Sequence, residues 1–335
     1  MTPADRRPLG PGGPGVSPLC LGTMMFADRT DAAEAGAILE RYLDAGGNFV
    51  DTADVYSAGR CETMLGPLIA PHRDRVVLAT KLGNAVAGIE GSGGLSGPWV
   101  AQAVAGSLAR LGVERVDLMY LHRDDEVTPL DETIAALAGE IAAGRVGAWG
   151  FSNFRGWKIA EMVRVADRLG APRPVVCQPY YHALYRQAEV DILPAAAHFG
   201  IGVVPYSVLA RGVLTGKYRG GVPEGSRAGR ADPRLMETEF RPETLAAAER
   251  LAAHAEARGR TPAGLALGWV LANRNVTSAL VGPRTEAQMA GYLAALAEPF
   301  DAGDEAAVEA VNAAGCAPSP AYADPKYPYR GRRLA

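Results

Sequence analysis

Cysteine is scarce in this chain and never clustered. The four thiols, Cys20, Cys61, Cys177 and Cys316, are scattered through 335 residues with no CxxC pair. That spacing suits reduced thiols in a cytoplasm better than a disulfide frame or a zinc site. Neither sign of charge is in large excess: 34 Lys and Arg face 37 Asp and Glu, a net charge of −3. Nucleic acid and anionic membrane are therefore not expected as partners. Long hydrophobic runs are missing too, and stretches such as "GIGVVPYSVLA" are too short and interrupted to span a bilayer. The start, "MTPADRRPLGPGGPGVS", has arginines but no apolar stretch behind them, so it does not read as a secretory signal. No G-x-G-x-x-G follows the first strand, and no G-x-S-x-G elbow is present.

What is present is alternation. Hydrophobic residues make up 48% and charged residues 21%, ordinary for a globular protein with a large core. Short β-branched runs are followed by amphipathic stretches nearly end to end. "SPLCLGTM" precedes "DAAEAGAILERYLDAG", "NFVD" precedes "CETMLGPLIA", and "RVVLATK" precedes "GPWVAQAVAGSLARLG". "RVDLMYLH", "VGAWGFS", "VVCQ" and "GVVPYS" continue the series to "VTSALVG" and "TEAQMAGYLAAL". This makes eight strand-then-helix units, with an extra helix before the last strand. Regular alternation implies parallel strands with right-handed crossovers, and eight units close into a barrel. The expected fold is thus α/β, a (β/α)8 TIM barrel forming one domain over 1–335. An N-terminal hairpin is expected at 6–18, the barrel at 19–300, and a C-terminal helix and tail at 301–335. The rival, an open doubly wound sheet, lacks its glycine fingerprint.

In such a barrel the C-terminal strand ends face one mouth, where chemistry sits. The polar residues expected there are Asp51, Tyr56 in the loop beyond it, Lys81, His122, Ser152, Asn153, Gln178, Tyr206 and Ser207. Singly, each has a plain structural explanation: a capped turn, a satisfied core histidine, a ladder end. Together they read as a general acid with its tuning partners. A phenol is a weak acid near neutral pH, and a neighbouring ammonium lowers its pKa. Asp51 would hold Lys81 charged, and a neutral His122 would donate to a substrate oxygen. That set suits protonation of an oxygen as hydride reaches a carbonyl, with the hydride supplied by a cofactor. Ser152, Asn153 and Gln178 suit a carboxamide, and Tyr206 a nicotinamide face. Arg211, Gly212 and Lys217 in "YSVLARGVLTGKY" suit a pyrophosphate, as do Gly282 and Arg284 before the last helix. No metal site is expected: one histidine and one lysine, with no second histidine nearby, fit metal hydrolysis poorly.

The segments "VSPLCLGTM", "NFVDTADVYSAGRCE", "VVLATKLG", "SLARLGVERVDLMYLHRDD", "GRVGAWGFSNF", "VVPYSVLARGVLTGKY" and "VGPRTEAQM" resemble the aldo-keto reductase superfamily over nearly the whole chain. The resemblance implies a TIM barrel binding NADPH (NADH less readily), with Tyr56 as proton donor and Asp51, Lys81 and His122 as its partners. It implies that Ser152, Asn153 and Gln178 hold the carboxamide and that Tyr206 stacks on the nicotinamide. Ser207, Leu209, Arg211, Gly212 and Lys217 would follow the pyrophosphate, Arg284 the 2′-phosphate and Gln288 the adenosine end. Gly22, Thr23, Met24, Asp51 and Gly282 complete the expected cofactor contacts. The chain departs from the family's pattern at Val208, Pro283 and Tyr292. Expected pocket walls are Met24, Met25, Phe26, Trp99 and the 210–240 loop. Apolar walls favour aliphatic or aromatic aldehydes, with sugar or natural-product ketones open. Two rival functions remain at this stage: an NADPH-binding regulatory subunit with slow turnover, and a metal-dependent barrel hydrolase. The tail "GCAPSPAYADPKYPYRGRRLA" either folds over the mouth or is disordered, with disorder favoured for its last residues.

Overall fold

The computed structural model describes residues 1–319 and 322–328. An antiparallel hairpin comes first, β1 (Arg7–Pro8) with β2 (Gly15–Val16). Eight parallel strands follow: β3 (Leu19–Gly22), β4 (Phe49–Asp51), β5 (Val77–Leu82), β6 (Val116–Leu121), β7 (Val146–Ser152), β8 (Val176–Gln178), β9 (Gly202–Val203) and β10 (Ala279–Val281). They pair in the order β10-β3-β4-β5-β6-β7-β8-β9. The two ends of that order also meet. The Thr277 amide donates to the Val203 carbonyl at 2.8 Å, and the Leu280 amide to Pro205 at 3.0 Å. The sheet therefore closes on itself as the (β/α)8 barrel that the alternation predicts.

Helices α1 (Ala32–Asp44), α2 (Arg60–Ile69), α3 (Gly97–Leu111), α4 (Leu130–Ala142), α5 (Gly156–Leu169) and α6 (Ile192–Phe199) follow β3 to β8 in turn. A long loop after β9 holds the short α7 (Pro233–Glu237) and leads to α8 (Pro242–Ala257). Then come the extra α9 (Pro262–Ala272), α10 (Glu286–Leu296) behind β10, and α11 (Ala302–Val311). Local chemistry sets the helix ends. In α1 the Asp31 side chain accepts from the Glu34 amide, and the buried face is Ala35, Ile38, Leu39, Tyr42 and Leu43. In α3, Ser96 caps the start, Pro98 sits in the first turn, and Gly112 ends the helix at φ +65°. One expected strand is shorter than its pattern. Of "GVVPYS", only Gly202–Val203 pairs regularly, because Pro205 has no N–H for the ladder; Tyr206 returns as a single bridge to Tyr180.

Two apolar cores divide the strand residues by parity. Cys20, Phe49, Ala79, Leu118, Tyr120 and Val176 join one cluster inside the barrel, while Leu19, Leu21, Val50, Leu78, Met119 and Leu121 face the helices. Side chains alternate along a strand, so a residue two positions after an interior one is interior again. Asp51 follows Phe49 in this way, Lys81 follows Ala79, His122 follows Tyr120 and Gln178 follows Val176. Their place at the open end of the interior is a consequence of strand period and register.

Candidate active site

Three strand ends and one loop bring the predicted tetrad together. The Lys81 Nζ donates to Asp51 Oδ1, to the Thr52 carbonyl at 2.8 Å and to the Tyr56 Oη at 3.2 Å. The other Asp51 oxygen accepts from the Gln178 Nε2 at 2.9 Å. Tyr56 and His122 meet edge to face, their ring centres 5.9 Å apart. Asp51 and Lys81 are fully enclosed, while Tyr56 and His122 keep partly open surface. Tyr56 reaches this position on a tight turn in which Ser57 and Ala58 take positive φ (50° and 56°). Such residues are uncommon outside glycine and hold the loop in one course.

Burial opposes charge on Lys81, but Asp51 and Tyr56 outweigh it and the ammonium is held above its usual range. Burial likewise pushes the Asp51 carboxyl up, with Lys81 and Gln178 opposing. For Tyr56 the net direction corrects the expectation of a lowered pKa. Burial raises the phenol to about 12, and the neighbouring ammonium offsets only part of that. His122 is pushed well below the usual imidazole range, by burial first and then by Lys81, Lys326 and Arg123. That direction favours the neutral imidazole.

The residues expected around a carboxamide are joined to one another. The Ser152 hydroxyl donates to the Gln178 carbonyl at 2.7 Å, and the Asn153 Nδ2 donates to the His122 carbonyl at 2.8 Å. The Tyr206 hydroxyl donates to the Asn153 Oδ1 at 2.8 Å, and the Tyr206 ring stacks on Tyr180 at 5.4 Å. Gly22 lies against β10: a Cβ there would meet the Leu280 side chain at 2.7 Å. The buried Thr23 donates to the Asp51 carbonyl at 3.0 Å. Ser207, in the positive-φ region, turns the chain into the buried Leu209. Of the expected pocket walls, Met24 is 40% exposed, whereas Met25, Phe26 and Trp99 are buried, Phe26 without any open surface.

The cationic residues divide into two groups, a split invisible in the sequence. Arg211 faces Glu239, with its Nε 3.2 Å from the buried carboxylate and 3.1 Å from the Thr238 hydroxyl. Glu239 also accepts from the Tyr180 hydroxyl. Its carboxyl, which burial alone would raise, is held at about 2 by His182, Arg211 and Thr238. Arg211 thus pins the loop and stands apart from Lys217. A separate cluster joins Lys217 and Arg284 to Arg227 and Arg230. Lys217 is lowered by burial and then by Arg284, Arg227 and Arg230. Among the described residues only Arg227 of these four has a carboxylate partner, Asp232 at 3.0 Å. Gly212 makes room for the cluster: at φ +95°, a Cβ there would lie 2.4 Å from the Lys217 Nζ. Arg284 sits just before α10, where its amide donates to the Gln288 Oε1 at 2.8 Å; Gly282 precedes it, and a Cβ there would lie 3.8 Å from the Gly22 carbonyl oxygen. A concentration of cations with so few counter-charges fits a ligand with more than one phosphate.

The tail also contributes. The Arg155 guanidinium donates to the carbonyls of Tyr327 at 3.0 Å and Pro328 at 3.1 Å. Arg234 pairs with Asp324 at 2.6 Å, and Arg241 lies over the Tyr322 ring at 4.6 Å. Residues 322–328 therefore lie beside the mouth, along the ends of β7 and the loop after β9. The expectation of disorder at the last residues falls outside the described residues. Sequence reading missed Arg227, Arg230 and Glu239, all in the 210–240 loop that it expected only as a pocket wall. Their one signal was the arginine density of "GSRAGRADPR".

The fold and this mouth define the class: an α/β-barrel protein that gathers an aspartate, a lysine, a tyrosine and a histidine at its strand ends. The chain belongs to the aldo/keto reductase family, whose model matches residues 18–313. It is 36% identical over 295 residues to a protein of Oryza sativa subsp. japonica named a probable voltage-gated potassium channel subunit beta, covering 86% of this chain and 90% of that protein. A protein of the same name from Arabidopsis thaliana is 36% identical over 288 residues, covering 84% and 88%. The uncharacterized oxidoreductase YrpG of Bacillus subtilis (strain 168) is 36% identical over 304 residues, covering 88% and 91%. Among the described residues no helix is long and apolar enough to cross a membrane, and no group of side chains has the makings of a metal site.

Proposed function

We propose that this chain is a cytoplasmic reductase that uses NADPH to convert a small-molecule aldehyde or ketone to its alcohol. The observation that supports this most is the Asp51–Lys81–Tyr56 chain of contacts at the mouth, with neutral His122 against the phenol. Bound NADPH would supply a hydride to the carbonyl carbon and leave as NADP+. Tyr56 gives its phenolic proton to the carbonyl oxygen as negative charge develops there. Lys81, kept charged by Asp51, stabilises the phenolate left behind. His122 donates a hydrogen bond to the same oxygen. Lys217, Arg227, Arg230 and Arg284 would hold the phosphates, and Ser152, Asn153, Gln178 and Tyr206 the nicotinamide end.

The test is NADPH absorbance loss with 4-nitrobenzaldehyde, for the wild type and Tyr56→Phe. The variant is expected to lose about 10²–10⁴-fold in kcat, with NADPH binding by fluorescence little changed. Near-wild-type turnover would remove Tyr56 from the role. A second reading, an NADPH-binding regulatory subunit with slow turnover, draws support from the names of the plant relatives. A single slow oxidation of bound NADPH, without steady-state turnover of any aldehyde, favours that reading.

A further inference from the structure

Two cations that act on the tetrad imidazole, Arg123 and Lys326, form no ion pair among the described residues. Arg123 directly follows His122 at the end of β6, and among the described residues its side chain finds only the Asp124 carbonyl, at 3.3 Å. Lys326 arrives from the far end of the chain. The strap that carries it is fixed on both sides, by Arg234 on Asp324 and by Arg155 on the Tyr327 and Pro328 carbonyls. The Lys326 amide itself donates to Asp324 Oδ1 at 2.9 Å, which fixes the turn of that strap. Arg155 lies two residues beyond Asn153, whose side chain holds the His122 backbone. The strap is thereby fixed on the His122 side of the mouth.

Among the described residues the neighbouring carboxylates have partners of their own. Asp324 is paired with Arg234, Glu239 with Arg211, and Asp124 with Lys158 at 2.6 Å. Asp125 accepts from the Leu95 and Thr128 amides. Among the described residues the Lys326 Nζ has only the face of Tyr327, 5.7 Å from the ring centre. Burial and then Arg234 and Arg123 press its pKa down, and Asp324, already held by Arg234, opposes them only in part. Gathering like charges in this way is unfavourable unless an anion joins them.

We propose that the preferred substrates are carbonyl compounds bearing a carboxylate, with Arg123 and Lys326 receiving the carboxylate while the carbonyl meets Tyr56 and His122. The assignment rests on the reductase reading of the site and adds specificity to it. Neutral aliphatic and aromatic aldehydes, favoured by the apolar walls alone, become the poorer class.

The experiment compares 4-carboxybenzaldehyde with its neutral methyl ester, methyl 4-formylbenzoate, in the wild type, Arg123→Gln and Lys326→Gln. The acid is expected to have a kcat/KM about tenfold or more above the ester, since a hydrogen bond to a charged group is worth that much. Each substitution should reduce this preference about tenfold, mainly through KM for the acid. An ester as good as the acid, or a preference unmoved in both variants, overturns the proposal. Benzoate binding to the full chain in the presence of NADP+, followed by calorimetry, separates the two readings. If neither aldehyde is reduced, the reductase reading fails, and benzoate binding weakened by Lys326→Gln still sustains the anion site. Absence of benzoate binding in the wild type overturns the site whatever the turnover.

Discussion

Asp54 is a buried carboxyl that forms no ion pair among the described residues, Arg110 and Lys81 offsetting its burial only in part. It is 1% exposed, and neither of its oxygens has a hydrogen-bond partner among the described residues. The nearby Glu62 is also buried, but its charge is answered by the Arg110 Nε at 2.8 Å and the Thr80 hydroxyl at 2.5 Å. Burial, followed by Glu62, raises the Asp54 carboxyl to about 7. The consequence for stability has a definite sign. Between its ordinary value near 4 and about 7, the folded chain keeps this proton while the unfolded chain releases it. The unfolded state therefore binds fewer protons, and stability falls as pH rises through that window, by up to about 1.4 kcal/mol per pH unit. Asp54→Asn removes this dependence. Relative to the variant, the wild type should lose stability steadily from pH 4 to 7 in urea unfolding. Parallel curves for the two proteins would show that Asp54 is charged throughout.

At the scale of elements, the loop after β9 carries most of what sequence reading did not reach. Barrel order is legible because it depends on local signals: strand period, helix caps and closing glycines. The tetrad is legible for the same reason, since Asp51, Lys81 and His122 each lie at or within one residue of a strand's end and parity points them inward. Arg227, Arg230 and Arg284 are different. Their meeting depends on how a long loop folds back onto the start of α10, and no periodicity records that. Arg211 and Lys217 lie close in sequence and share a motif, yet the positive φ of Arg211 and Gly212 sends them to different partners. The cluster makes a prediction of its own. Arg284 stands at the helix end of the group and is pressed down by burial and then by Arg230 and Arg227. Arg284→Ala should raise the KM for NADPH about tenfold or more, as loss of one charge-assisted contact does, and leave the KM for NADH nearly as it was. Equal rises for both cofactors would show that Arg284 does not read the extra phosphate.

For the whole molecule, the closed end of the barrel matters as much as the mouth. The N-terminal hairpin does not decorate the surface. Leu9 and Val16 are fully buried and belong to the same interior cluster as Cys20, Phe49, Leu118 and Val176. The turn fits tightly: Gly10 has φ +61°, and a Cβ there would lie 2.5 Å from the Val175 carbonyl oxygen. Gly202 approaches from the other side, where a Cβ would come within 3.1 Å of the Leu9 Cα. The hairpin is thus a stopper seated in the end opposite the tetrad, and its removal would leave the bottom layer of the core open to water. Leu9→Ala should cost about 2–5 kcal/mol, the range for emptying a buried leucine site. Because all strands share that layer, the loss should appear as one cooperative transition at a Tm lower by several degrees. Well below that temperature, kcat and KM should match the wild type, since the substitution lies at the far end from the chemistry. A cost under about 0.5 kcal/mol, typical of an exposed position, would mean that the barrel closes without its stopper.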